Sequence, residues 1–106
     1  MNFLSSVWGS GPNDVWAVGD FGTMVHWNGN AWTSVSSGTT EFLNRVWGSG
    51  ASDVWAVSGS GTILHWDGSA WSSVSSGTTN YLSGIWGSAS DVWVVGSSGT
   101  ILRRRP

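Results

Sequence analysis

The sequence contains no cysteine and no lysine, and only two of its 106 residues are proline. The absence of cysteine excludes disulfide bonds and thiolate chemistry, although it fits a reducing or an oxidising compartment equally well. Only 9% of the residues are charged, and a net charge of -2 leaves no basic surface for a polyanion. We therefore expect no nucleic-acid partner.

Long apolar runs are missing as well. No stretch approaches the roughly 20 apolar residues that a membrane helix needs, and no charged leader with an apolar run precedes the first repeat. We therefore expect no membrane association. Hydrophobic residues still make up 40% of the chain, which is enough to build a folded core.

The chain is an array of one repeated unit. Shifting the sequence by 39 residues aligns residues 2–40 with residues 41–79, and 26 of the 39 pairs are identical. A third copy, residues 80–106, loses one residue before Asp91 and lacks its last quarter. We expect residues 1–106 to form one segment of three consecutive structural repeats.

Alternating apolar and polar residues, interrupted by Gly and Ser clusters, predict strands rather than helices within each copy. In the second copy the predicted strands are residues 43–48, 53–57, 62–66 and 70–75. Short connections, among them the hairpin signal Asp67-Gly68-Ser69, imply antiparallel neighbours. Each complete copy is therefore predicted to be a four-stranded antiparallel meander.

The second strand of the repeat shows how such sheets would stack. In Asp53-Val54-Trp55-Ala56-Val57 both faces are apolar, so both should be covered, whereas the serine-rich fourth strand belongs on the outside. These features predict an all-β protein of β-propeller blades, about 2.75 blades per chain. A β-solenoid or an open stack is the alternative, which the four-strand period disfavours.

The same residues support a resemblance. The run from Asp53 to Val57, with Gly61-Thr62-Ile63-Leu64-His65-Trp66-Asp67-Gly68 and Trp71, resembles bacterial propeller repeats of the Asp-box and photosystem-assembly-factor kind. The Trp-Asp-Gly hairpin followed by Trp71 is also similar to short oligomeric propeller lectins, fucose-binding and tachylectin-like. That likeness implies carbohydrate binding, but a matching arginine and glutamate pair for sugar hydroxyls is missing here.

Ten tryptophans fall in columns of the repeat. With carboxylates and amides near one loop face, they suit sugars, because indole stacks on apolar sugar faces and carboxylates accept hydroxyl hydrogen bonds. Alternatively, tryptophan packs blade against blade, and an aspartate such as Asp14, Asp53 or Asp91 ties a loop to backbone N–H groups. The candidate binding residues are Trp8, Trp27, Asn28, Trp32, Trp47, Asp53, Trp66, Asp67, Trp71 and Trp86.

No arrangement of residues indicates catalysis, a metal or a cofactor. His26 and His65 occupy matching positions without a second histidine or cysteine in their copies. Serines lie in Gly-rich turns, without a base and an orienting acid at a recognisable spacing. We therefore expect no enzyme activity, no metal site and no cofactor.

Two complete copies and three strands fall short of the four blades of the smallest common propeller. Either the chain is a fragment of a longer propeller, or association of identical chains closes the ring, as a homodimer with six blades (the favoured case) or a homotrimer with nine. Residues 103–106, Arg-Arg-Arg-Pro, favour association, because they would blunt the bare outer strand, unless they are a cloning or reading-frame scar. The predicted function is a self-assembling, carbohydrate-binding module. The alternative is a structural or interaction scaffold, or a reconstructed or designed repeat protein, without a small ligand.

Overall fold

The computed structural model describes residues 3–88 and 90–104. Its regular elements are strands, with two short 3-10 turns at Asp20–Gly22 and Ser97–Gly99. The strands are β1 (Leu4–Gly11), β2 (Asp14–Gly19), β3 (Met24–Trp27), β4 (Trp32–Ser34), β5 (Leu43–Gly50), β6 (Asp53–Ser58), β7 (Ile63–Trp66), β8 (Trp71–Val74), β9 (Leu82–Gly87), β10 (Val92–Gly96) and β11 (Ile101–Arg104).

These strands form three antiparallel sheets, one for each copy of the repeat. Sheet 1 has the order β1-β2-β3-β4, sheet 2 the order β5-β6-β7-β8, and sheet 3 the order β9-β10-β11. The predicted all-β class and the four-stranded antiparallel meander are confirmed. Arg103 and Arg104 lie on β11, the edge strand of sheet 3 within the described residues, while Arg105 and Pro106 lie outside them.

The hairpins between the third and fourth strands have the predicted geometry. Gly29 and Gly68 have φ angles of 96° and 103°, a region that only glycine adopts without strain. In the second hairpin the Asp67 side chain accepts hydrogen bonds from the backbone N–H groups of Ser69 at 2.8 Å and Ala70 at 3.0 Å. Backbone freedom and a short acceptor side chain together form the turn.

The middle sheet is buried on both faces, as its second strand predicted. Val54 and Ala56 face sheet 1, whereas Trp55 and Val57 face sheet 3, and all four are buried. The first interface is built on Trp16, Val18, Met24, Leu43, Val46, Val54, Ala56 and Leu64. The second is built on Trp55, Val57, Ile63, Leu82, Val92 and Val94.

Adjacent sheets contact each other mainly through their first and second strands. Ser5 Oγ donates a hydrogen bond to the Leu43 carbonyl oxygen at 2.5 Å, joining β1 to β5. At the matching position of the repeat, Asn44 Nδ2 donates to the Leu82 carbonyl oxygen at 2.5 Å, joining β5 to β9. The same kind of hydrogen bond, from a side chain to a backbone carbonyl oxygen, therefore joins both pairs of neighbouring first strands.

Both ends of this stack of sheets present apolar side chains to solvent. The outer face of sheet 1 exposes Leu4, Val7 and Trp32, and Val7 is 65% exposed. The outer face of sheet 3 exposes Trp86, Trp93, Val95 and Ile101. The matching positions of sheet 2 are buried, except that Trp47 and Trp71 are partly buried. Among the described residues, no helix has the length and apolar character needed to cross a membrane.

Candidate binding surface

Asp53, at the start of β6, connects three neighbouring strands. Its Oδ2 atom accepts a hydrogen bond from Ser49 Oγ at 2.5 Å. Its Oδ1 atom lies 3.0 Å from Trp55 Nε1 and 2.8 Å from His65 Nε2. All three partners are side chains. For a structural role of Asp53, the sequence predicted hydrogen bonds from backbone N–H groups instead. The serine hydroxyl donates to the carboxylate rather than to the imidazole, unlike the arrangement that activates a nucleophile.

The other two sheets contain versions of this cluster. In sheet 1, Asp14 accepts a hydrogen bond from Ser10 Oγ at 2.5 Å and lies 2.6 Å from His26 Nε2. In sheet 3 an arginine replaces the histidine, and Arg103 Nη2 lies 2.8 Å from Asp91 Oδ1. A carboxylate at the start of the second strand thus pairs with a cationic or imidazole group on the third strand in every sheet.

Hydrogen bonding lowers the pKa of both histidine-paired aspartates. Burial raises the pKa of Asp53, but hydrogen bonds from Ser49, His65 and Trp55 outweigh it, so the pKa lies below its ordinary value of 3.8. Burial likewise raises the pKa of Asp14, and hydrogen bonds from Ser10 and His26 reverse that effect. Both carboxyl groups should therefore be ionised at neutral pH.

These lowered pKa values predict a loss of stability in acid. The contribution of Asp53 is present above the unfolded-state pKa of 3.8 and is lost as pH falls through the lower folded-state pKa. We expect Asp53→Asn to cost about 1 to 3 kcal/mol near pH 7 and to cost progressively less as acid protonates the parent carboxyl group. Urea unfolding at several pH values measures this difference, and a cost that does not change with pH would contradict it.

Several candidate tryptophans pack between sheets 1 and 2. The rings of Trp66 and Trp71 lie 5.1 Å and 5.2 Å from the ring of Trp16, measured between centroids. The ring centroids of Trp66 and Trp71 are 5.9 Å apart, and both side chains are partly exposed at the hairpin between β7 and β8. Part of the surface of Trp66 and Trp71 therefore packs between sheets 1 and 2.

The first-strand tryptophans lie elsewhere. Trp47 packs against the second interface, on the face of sheet 2 opposite Trp66 and Trp71. The structure therefore does not bring Trp47 together with Asp67 and the hairpin tryptophans. Trp8 lies over Gly48, because a Cβ atom at Gly48 would be 2.7 Å from Trp8 Cη2.

The remaining candidates lie on sheet 1 and sheet 3. Trp27 and Trp32 are cross-strand neighbours with ring centroids 5.7 Å apart, and Trp32 is half exposed. Asn28 shapes the adjoining hairpin by accepting hydrogen bonds from the backbone N–H groups of Asn30 and Ala31. Trp86 lies on the exposed outer face of sheet 3, away from these hairpins.

Two concave regions lie at the opposite end of the sheets from the tryptophan hairpins. They are shallow grooves of about 840 Å³ and 740 Å³, in matching places on sheets 2 and 1, lined by Ser, Thr and Gly with one aliphatic side chain or two. Neither has an aromatic side chain in its lining. Within residues 3–88 and 90–104, no three His, Asp or Glu side chains are grouped to hold a metal ion.

The Asp–His pairs and the contacts of Arg103 and Arg104 were not predicted as site features. Arg103 Cζ lies over the Trp93 ring at 5.0 Å, and Arg104 Cζ lies over the Trp55 ring at 5.6 Å. The constant spacing of 12 residues between the paired side chains, as between Asp53 and His65, was the signal in the sequence that could have predicted these pairs.

No known protein family matches the sequence, and no curated protein is significantly similar to it.

Proposed function

We propose that this chain is a segment of a β-propeller that completes its ring by head-to-tail association with identical chains and serves as a binding module. The observation that carries this proposal is the pair of exposed apolar faces at the two ends of the stack. Contiguous apolar surfaces of this kind mark interaction sites in soluble proteins. The resemblance of the repeats to bacterial propeller repeats supports the same architecture.

The first interface within the chain indicates what a seam between copies would contain. There, Trp16 of sheet 1 packs on Trp66 of sheet 2. In the repeat, Trp93 of sheet 3 holds the position of Trp16, and Trp27 of sheet 1 holds the position of Trp66. Trp93 of one copy would therefore meet Trp27 of the next copy.

The hydrogen bonds between neighbouring first strands would also be repeated at the seam between two copies. Ser5 donates to the Leu43 carbonyl oxygen, and Ser83 is the matching residue of sheet 3. The matching acceptor for Ser83 is the carbonyl oxygen of Leu4 in the next copy. Both Ser83 and Leu4 are exposed within one chain, so the seam would satisfy groups that now face water.

The number of sheets decides between the possible rings. Each chain supplies three sheets, so two chains give six blades and three chains give nine. Propellers typically have four to eight blades, which favours the homodimer. Head-to-tail interfaces of one type form a closed ring when the rotation between subunits closes.

Light scattering coupled to size exclusion tests the assembly directly. We expect a native mass of twice the 11.2 kDa chain mass for folded protein in dilute solution. Three times the chain mass would shift the proposal to nine blades. A mass of one chain in folded, soluble protein would contradict ring closure by copies.

Carbohydrate binding is a second candidate function, favoured by the Trp66 and Trp71 rings, which stay partly exposed beside the Asp67 hairpin although sheet 1 covers that face of sheet 2. Trp27, Trp32 and Asn28 repeat the arrangement on sheet 1, where the seam would cover the Trp32 ring to the extent that Trp71 is covered. Indole rings with neighbouring hydrogen-bonding groups suit the mixed apolar and polar surface of a sugar. Sites of this kind would occur once per complete blade, and weak single sites would gain strength through avidity in a ring.

A glycan array, combined with tryptophan fluorescence titration of monosaccharides, tests this second candidate on protein of confirmed assembly. We expect binding in the millimolar range or tighter, with a fluorescence change because the ligand contacts indole. An assembled protein that remains silent in both measurements would support the scaffold alternative instead.

A further inference from the structure

β11 forms the edge of sheet 3, whereas the matching strands of the other sheets are covered. β3 pairs with β4, and β7 pairs with β8. Within the described residues, β11 pairs with β10 alone. Alternate N–H and C=O groups along β11 therefore point away from the sheet and are available to another extended segment.

A groove lined by six apolar residues, two serines and two arginines adjoins this edge. It has a volume of about 150 Å³ and lies between sheets 2 and 3, with Arg103 and Arg104 among its lining residues. A cavity of about this volume is large enough for a benzene ring. The apolar lining of this outer groove comprises Trp55, Ile63, Val74, Val92, Val94 and Leu102.

Between sheets 1 and 2 an aromatic side chain fills the corresponding place. Trp71 of β8 packs edge-on against Trp16, and Trp16 holds the position in sheet 1 that Trp55 holds in sheet 2. Trp71 pairs across the strands with Trp66, the residue that matches Arg104. The outer groove beside Trp55 thus corresponds to the place of an aromatic residue on a fourth strand.

We propose that the β11 edge and the outer groove bind an extended polypeptide segment, which adds to sheet 3 as an antiparallel fourth strand and places an aromatic side chain in the groove. Backbone pairing provides the affinity of such strand addition, and the side-chain pocket provides its specificity.

The register follows from the pairing of β7 with β8. The aromatic residue lies opposite Arg104, a small polar residue lies opposite Leu102, and an aliphatic residue lies opposite Ile101. Ile101 is 67% exposed in the chain, so the aliphatic partner would cover it. The chain's own fourth strand, Trp71–Val74, has this pattern of side chains, which identifies the kind of partner that fits.

A synthetic peptide with the sequence of residues 69–77, labelled at one end, tests this inference by fluorescence anisotropy. We expect saturable binding to the full chain. A version with Trp71→Ala should bind at least about tenfold more weakly, because the aromatic side chain provides most of the buried apolar area. A version N-methylated at the N–H groups that face β11 should also bind at least about tenfold more weakly, because the strand ladder is lost.

Cross-linking locates the bound peptide. With a photoreactive phenylalanine in place of the tryptophan, we expect cross-links to Trp55, Ile63 or Leu102. Absence of binding, equal binding of all three peptides, or cross-links to Val7 or Trp86 on the outer faces would overturn the proposal. The outer groove is formed by one chain, so the two proposals can fail separately. A protein that stays a single chain but binds the peptide would contradict the ring and not the groove. A protein that assembles but does not bind the peptide would contradict the groove and not the ring.

Discussion

Trp86→Glu is expected to release the assembled protein as folded single chains of 11.2 kDa. Trp86 is 69% exposed within one chain, so glutamate should cost a lone chain little. In the proposed ring, Trp86 repeats the position of Trp8, which lies over Gly48 in the first interface. Glutamate would place an unpaired carboxylate in every seam and remove the indole contact, at a position where the matching Trp8 and Trp47 are partly buried, which should cost roughly 1 to 3 kcal/mol for each seam.

Native mass and circular dichroism together measure this effect. Val7→Glu, on the opposite outer face, should have the same result, because Val7 is 65% exposed within one chain and matches Val46, which is buried in the first interface. Phe21→Glu is the matched control: Phe21 is an exposed aromatic residue in the turn between β2 and β3. We expect this control to keep the native mass of the parent. Unchanged mass for both Trp86→Glu and Val7→Glu would contradict the proposed seam.

Trp55→Ala is expected to cost about 3 to 5 kcal/mol of unfolding free energy, the usual range for removing a large aromatic side chain from a core. Trp55 is 2% exposed, and its ring packs against the His65 ring at a tilt of 36°, with centroids 4.2 Å apart. Its indole N–H also donates to Asp53. Since small domains have about 5 to 15 kcal/mol of total stability, this one substitution should remove a large part of it.

The unfolding free energies must be measured on protein that does not assemble, because contacts between copies would add to the measured stability. In the Trp86→Glu background, urea unfolding of Trp55→Ala can be compared with that of Trp32→Ala. Trp32 is half exposed on the outer face of sheet 1, so its removal should cost less than about 1 kcal/mol. Similar costs at the two positions would show that Trp55 does not hold the second interface together.

The repeat and its period of two were sufficient to predict the order and direction of the strands. Short Gly- and Ser-rich connections allow a strand to pair only with its immediate neighbour, so the meander follows from the length of the turns. Apolar residues on both faces of Val54–Val57 predicted burial on both sides, and all four residues are buried. Turn geometry and side-chain alternation are local properties that a sequence displays directly.

Strand ends were predicted less accurately. The strand predicted at residues 43–48 continues to Gly50, because Gly50 still pairs with Asp53. The strand predicted at residues 70–75 is shorter, spanning Trp71–Val74. Hydrogen bonding to a partner strand decides where a strand ends, and single-sequence propensity does not contain that partner.

The sequence by itself thus determined the order of the strands and the burial of the middle sheet on both faces, and only the tertiary structure decided which side chains share an interface. Trp47 and Trp66 belong to one sheet, yet they contact different neighbours, because pairing register places them on opposite faces. The contacts of Asp53 with His65 and of Arg104 with Trp55 also join residues distant in sequence. Such distances are set only when strands pair in register and sheets stack, because both steps depend on the whole buried surface rather than on neighbouring residues.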